Sequence, residues 1–146
     1  MQLRHNALLV VADGRKALFL RNDGDAVYPK LTVEHAEQQV NPPDRDQKTD
    51  RPGRAFSSVG DGRSAMEEPD YHQIEEDRFA AELGAMLKAR ALAGEFETLI
   101  VAAPPRTLGE LRKHYHVEVE KRLTGEIAKD LTNHPLDEIE KLVTAG

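Results

Sequence analysis

The chain has no cysteine and no tryptophan, and only 3 Tyr and 4 Phe among its 146 residues. Without cysteine there can be no disulfide framework, thiol nucleophile or Cys-based zinc site. The core must therefore be built from aliphatic residues, and a chain of this length can bury one as a single domain without staples. Long hydrophobic runs are also missing. The first apolar stretch, Ala7–Ala12, is too short for a spanning helix and is not followed by a small-residue cleavage site. The chain reads as cytoplasmic, with no membrane span. Basic residues are outnumbered 20 to 26, for a net charge of −6. That balance suits solubility and argues against a surface that binds nucleic acid or acidic membrane everywhere, though it leaves room for a local basic patch.

The apolar residues that are present fall into informative runs. Ala7–Ala12 is continuously apolar and closed by Asp13-Gly14, the pattern of a strand buried on both faces. Lys16–Arg21 follows at hairpin spacing and ends in Asn22-Asp23-Gly24-Asp25. Lys30–Glu37 alternates Leu31, Val33 and His35 with Thr32, Glu34 and Ala36, which predicts a half-exposed edge strand. Residues 41–70 have no apolar period and contain Pro42-Pro43, Pro52-Gly53 and Pro69, which predicts a long loop, mobile in the free protein. Tyr71–Ala93 reads as the longest helix, started by Pro69-Asp70, with Ile74, Phe79, Leu83 and Leu87 on one face and Gly94 ending it. Thr98–Ala103 is a second buried strand stopped by Pro104-Pro105. A short helix over Thr107–His114 has Thr107 and Glu110 spaced as a capping box. Val117–Arg122 is ambiguous, Leu123–Ala128 reads as a last strand, and Pro135–Ala145 as an amphipathic helix. The order β-β-β-α-β-α-β-α predicts an α/β fold: a mixed five-stranded sheet of ribonuclease-H-like order, with helices on both faces and the two apolar strands at its centre.

Catalytic constellations are incomplete. Asp13 ends the first strand and Glu75, Glu76 and Asp77 open the long helix, but the fourth strand ends in Ala102-Ala103-Pro104-Pro105 with no carboxylate for a two-metal site. Asp13 before Gly14 is more simply a turn residue. His114 and His116 form an H-x-H pair with no third ligand nearby. Ser57, Ser58 and Ser64 lack a G-x-S-x-G elbow, and the glycines at 60 and 62 follow no strand and lack the phosphate-loop pattern. No catalytic residue, metal site or cofactor is assigned. What remains is binding chemistry. Arg45, Lys48, Arg51, Arg54 and Arg63 cluster around a Pro-Gly turn with Phe56 beside it. Arg51, Arg54, Phe56 and Arg63 are the expected partner contacts, able to grip phosphate and stack on a base, against the plainer reading of a solvated mixed-charge loop. Arg106 and Arg112 form a second candidate, an anion-binding corner at the start of a helix. There the simpler alternative, preferred, is that Arg112 pairs with a neighbouring Glu.

Several of these segments together resemble the bacterial host attachment protein family. They are Leu8–Gly14 with Ala17-Leu18-Phe19, Arg51–Phe56, Ala103–Arg112 and Gly125–Thr132. The resemblance covers nearly the whole chain and implies a single domain over 1–146: a non-catalytic cytoplasmic accessory protein, needed for attachment to host cells indirectly. That family is similar, more distantly, to the middle domain of archaeal and eukaryotic release factors, whose Gly-Gly-Gln loop lies between the strand meander and the long helix. This sequence has no Gly-Gly-Gln, so peptide-release chemistry is not implied. The alternative function is an RNA- or ribosome-associated module, and a hydrolase is the third class. The identity of the partner and the oligomeric state stay open.

Overall fold

Two continuously apolar runs become the middle of the sheet, because only strands covered on both faces can hide every side chain. The computed structural model describes residues 1–39 and 61–145. Its elements are β1 (Leu8–Ala12), β2 (Lys16–Asn22), β3 (Leu31–Gln38), α1 (Asp61–Leu92), β4 (Leu99–Ala102), α2 (Pro105–Arg112), α3 (Val117–Arg122), β5 (Leu123–Ile127) and α4 (Leu136–Ala145). The sheet has five strands in the order β3-β2-β1-β4-β5. The β1/β2 and β2/β3 pairs are antiparallel, while β1/β4 and β4/β5 are parallel. β1 and β4 thus lie inside, as their composition predicts, and β3 is an edge.

Alternate residues of the central strands feed two cores. Val10, Phe19 and Val101 pack with Phe79, Leu83 and Leu87 of α1 and with Leu108, Leu111 and Val119 of α2 and α3. Leu9, Val11 and Ile100 face the other way, against Ile139 and Val143 of α4 and the N-terminal Leu3. Burying one such side chain contributes about 1.5–3 kcal/mol, so the two layers hold the sheet rigid between them. Helices therefore lie on both faces.

Four local features depart from the sequence reading. The long helix starts at Asp61, not near Tyr71, so residues 61–70 of the expected loop are helical. Pro69 removes a single backbone donor, and the Ala, Met and Glu residues before it favour helix, so the proline does not end the element. Ile74, expected to face inward, is 54% exposed. The short helix begins at Pro105, with Pro104 as its cap and no side-chain cap bond; Thr107 lies inside it. Pro105 sits where a helix needs no backbone donor. Val117–Arg122, ambiguous in sequence, is the helix α3, capped by His116, whose Nδ1 accepts the Glu118 N–H at 3.0 Å. Gly94 closes the long helix as expected: its φ is 71°, and the Glu95 N–H bonds back to the Arg90 carbonyl at 2.9 Å.

The fourth departure is in β3. A register shift opposite Phe19/Leu20 pairs Phe19 with His35 and Leu20 with Val33, leaving Glu34 as the extra residue of a bulge. Val33 and His35 therefore do not share a face. Glu34 and His35 both turn toward α1 instead: His35 meets the Phe19 ring edge-on, and Glu34 meets Arg90 at 3.1 Å. Arg21 grips the same carboxylate with two bonds of 2.9 and 3.2 Å, and Arg90 also lies over the Phe19 ring. Hydrogen bonds from Arg21 hold the Glu34 carboxyl below its usual range, against partial desolvation, with Arg90 adding to the effect. A depressed carboxyl stabilises the fold above its unfolded pKa, and that stabilisation is lost as pH falls through the folded value. Glu34→Gln is expected to cost about 1–2 kcal/mol near neutral pH. Denaturant titrations should show wild type and variant converging once pH falls below the depressed folded-state pKa of Glu34, where both carry a neutral side chain.

Candidate functional site

β3 is antiparallel to β2, and β2 to β1, so β1, β3, β4 and β5 all run the same way. Their C-terminal ends form one rim, the place where open α/β sheets usually meet their ligands. At the end of β1, Asp13 Oδ1 accepts the Arg15 and Lys16 N–H groups at 2.7 and 2.8 Å. Asp13 is thus a turn residue. Beyond β5, Asp130 does the same for the Thr132 N–H at 2.9 Å and its hydroxyl at 2.5 Å. Thr132 is buried, with its hydroxyl 3.4 Å from Asp13 Oδ2, and Lys16 Nζ donates to Asn133 Oδ1 at 3.2 Å. The Lys129–Thr132 segment is thereby fastened to the first turn of the sheet across more than a hundred residues of sequence.

α1 reaches the same rim. Glu76 lies against Gly14, and the Gln39 side-chain amide donates to the Glu75 carbonyl at 3.2 Å. Gln39 also donates its N–H to the Arg15 carbonyl at 2.7 Å, so the segment 40–60 leaves the described part of the chain from this rim. Arg51, Arg54 and Phe56 lie outside the described residues. So does the side chain of Arg63, whose backbone falls in the first turn of α1.

Three cations decorate the rim without a side-chain partner among the described residues: Arg15 after β1, Arg106 after β4 and Lys129 after β5, all exposed. Since β1, β4 and β5 are adjacent, their ends span two strand spacings, about 10 Å. Arg106 also sits in the first turn of α2, which has no acidic residue there and no side-chain cap. The Arg106 and Thr107 N–H groups consequently have no intrahelical acceptor. Of the acidic residues at the rim, Asp13 and Asp130 each spend an oxygen on two donors and Glu75 pairs with Arg78, while Glu76 lies against Gly14.

Arg106 and Arg112 are not brought together. They occupy opposite ends of α2, about 9 Å apart along its axis. Arg112 is held by Glu126 through bonds of 2.7 and 3.0 Å, which raise its pKa further. This is the acidic pairing that was the simpler alternative, although its partner lies across on β5 and not on the same helix. Beside it the Tyr115 hydroxyl is buried with no hydrogen-bond partner among the described residues, and burial, followed by the Glu126 charge, raises its pKa. His116 has one ring nitrogen committed to capping, while His114 is exposed, with its Cβ close against Gly84 of α1. Among the described residues no group of three or more His, Cys, Asp or Glu could hold a metal ion. Among the same residues no helix is long and apolar enough to cross a membrane.

The sequence marks Asp13 as a turn residue and Arg106 as a candidate anion contact, and its reading does not single out Arg15 or Lys129. Their signal was available: each directly follows or precedes a turn-forming Asp or Gly at a strand end. No curated protein matches the chain. A family profile, that of bacterial archaeo-eukaryotic release factor family 12, matches residues 6–143 and so takes in every strand, α2, α3 and the rim described above. The chain belongs to bacterial archaeo-eukaryotic release factor family 12.

Proposed function

We propose that this protein is an RNA- or ribosome-associated binding module that contacts RNA with the C-terminal rim of its sheet and performs no peptide release. The observation that carries this reading is the row of cations with no side-chain partner among the described residues, Arg15, Arg106 and Lys129, at the rim where the described chain ends at Gln39. The segment 40–60 brings Arg45, Lys48, Arg51 and Arg54, with Phe56 among them. Backbone phosphates favour such a row even on a molecule of net charge −6, because affinity follows local contacts. Arg51 and Arg54 supply charge-assisted bonds to phosphate, Arg63 lies close by in sequence, and Phe56 offers a stacking face to a base. The absence of Gly-Gly-Gln removes the motif on which release chemistry depends in the related domains. In this reading the protein is cytoplasmic, and any influence on host attachment is indirect, through RNA or the ribosome. An anion at Arg106 would rest on the free N–H groups of α2, without Arg112.

Filter binding of a single-stranded oligoribonucleotide tests this reading. Replacing Arg51, Arg54 and Phe56 by Ala should weaken binding by at least about tenfold, since stacking alone is worth about 1–3 kcal/mol per base. The melting temperature should stay within about 2 °C, as surface changes usually cost little. Retained binding in that variant would move the contact elsewhere, and an early melt would show that the segment packs as structure.

A further inference from the structure

The opposite end of the sheet, where β1 and β4 begin, carries a different surface. An open cleft of ≈ 590 Å³ lies there between the N-terminal segment, the β2–β3 hairpin and the turn after α1, walled by Arg4, His5, Asp23, Glu34, Glu95 and Glu97 among others. Glu34 is consumed by Arg21 and Arg90. Counting Arg4, Arg21 and the adjoining Arg90 against Asp23, Glu34, Glu95 and Glu97 leaves an acidic excess of one charge at the cleft. Glu95 makes only a long ion pair with Arg90, at 3.9 Å, and Glu97 has no ion-pair partner among the described residues.

The hairpin tip beside this cleft is held without slack. Asp25 Oδ1 accepts the Val27 and Tyr28 N–H groups at 2.9 and 2.7 Å. Gly24 packs so closely on the Tyr28 carbonyl that a Cβ there would lie 2.1 Å from it. A contact of 2.7 Å between His5 Nδ1 and the Gly24 carbonyl ties the tip to the cleft wall. On this fixed tip Val27 is 74% and Tyr28 79% exposed. Scattered exposed apolar residues are ordinary, but two neighbours on a rigid loop form a preorganised anchor whose ordering cost is already met by folding.

We infer that the tip and the cleft together dock a basic peptide segment of a protein partner. An aliphatic or proline side chain of that segment packs on Val27 and Tyr28, and a Lys or Arg side chain reaches Glu95 and Glu97. The acidic excess repels phosphate, which disfavours RNA at this end. The inference stands apart from the RNA reading, because it concerns the opposite end of the sheet.

The probe is a nonapeptide of alternating Lys, Leu and Pro, titrated into the isotope-labelled protein and followed by amide chemical shifts. Shifts are expected at His5, Val27, Tyr28, Glu95 and Glu97. Tyr28→Ala, and separately Glu97→Lys, should weaken binding by at least about tenfold without moving the melting temperature, as buried-anchor truncations do. Two controls define specificity: the same peptide with Glu for Lys should give no shifts there, and oligouridylate should shift the rim instead. The inference is overturned if the basic peptide produces no shifts at these residues, if both variants bind like wild type, or if oligouridylate shifts Tyr28.

Discussion

Asn22→Ala should lower the melting temperature by roughly 10 °C, the largest stability loss expected of any exchange of a polar residue among the described residues. Asn22 is fully buried at the end of β2. Its side-chain amide donates to the Leu3, Arg4 and Asp25 carbonyls at 2.9, 3.0 and 3.3 Å. Its carbonyl oxygen accepts the Gly24 and Lys30 N–H groups at 2.9 and 2.8 Å. One side chain thus fastens the N-terminal segment, the hairpin and the start of β3. Alanine would leave several backbone groups without partners, at about 3–5 kcal/mol in total. Asn22→Asp keeps the two acceptor bonds but loses the three donated ones and buries a charge, so it should be no better than alanine. Calorimetry of the two variants checks this. A shift of less than about 2 °C for either would show that water replaces the network at little cost.

The second large effect concerns the rim. Reversing Arg15, Arg106 and Lys129 to Glu should reduce affinity for single-stranded RNA at least a hundredfold, an order-of-magnitude figure for three lost phosphate contacts plus repulsion. The salt dependence should flatten as well, since each contact contributes about 0.7 to the slope of log affinity against log salt, or about 2 for three. All three side chains are exposed and unpaired among the described residues, so the fold should be unaffected. An unchanged slope would mean that these cations do not touch phosphate.

Much of the architecture is legible in the sequence because it follows from burial alone. Ala7–Ala12 and Thr98–Ala103 have no polar side to expose except at their ends, and so had to be central. The amphipathic spacing of Leu136, Ile139, Leu142 and Val143 places α4 on the second face, where Ile139 and Val143 are fully buried. The features that escaped depend on contacts far apart in sequence. The bulge at Glu34 leaves no mark on the alternation of β3, since it is set by Arg21 and Arg90 drawing one carboxylate to the α1 face. Asn22 looks like one more turn residue until its five partners are assembled around it. α3 is only six residues long and is capped by a histidine, a residue that local rules do not favour at that position.

The candidate site shows the same division. Asp13-Gly14 and Pro104-Pro105 announce strand ends locally, and Arg106 follows from them. That Lys129–Thr132 joins the same rim depends on the bonds from Thr132 and Asn133 to the first turn of the sheet, across a separation no local pattern encodes. The pairing of Arg112 with Glu126 likewise requires α2 to lie over β5. Local patterns thus mark the strand ends and Arg106 but not Arg15 or Lys129, and folding supplies the convergence of all three.

Ribosome co-sedimentation tests the central claim most directly. Wild-type protein should pellet with ribosomes at about 50 mM salt and be released by about 200 mM, as phosphate-dominated binding demands, and the Arg15, Arg106, Lys129 charge-reversal variant should remain in the supernatant at both. Wild-type protein that stays in the supernatant at the lower salt, or a reversal variant that pellets equally well, would contradict the account.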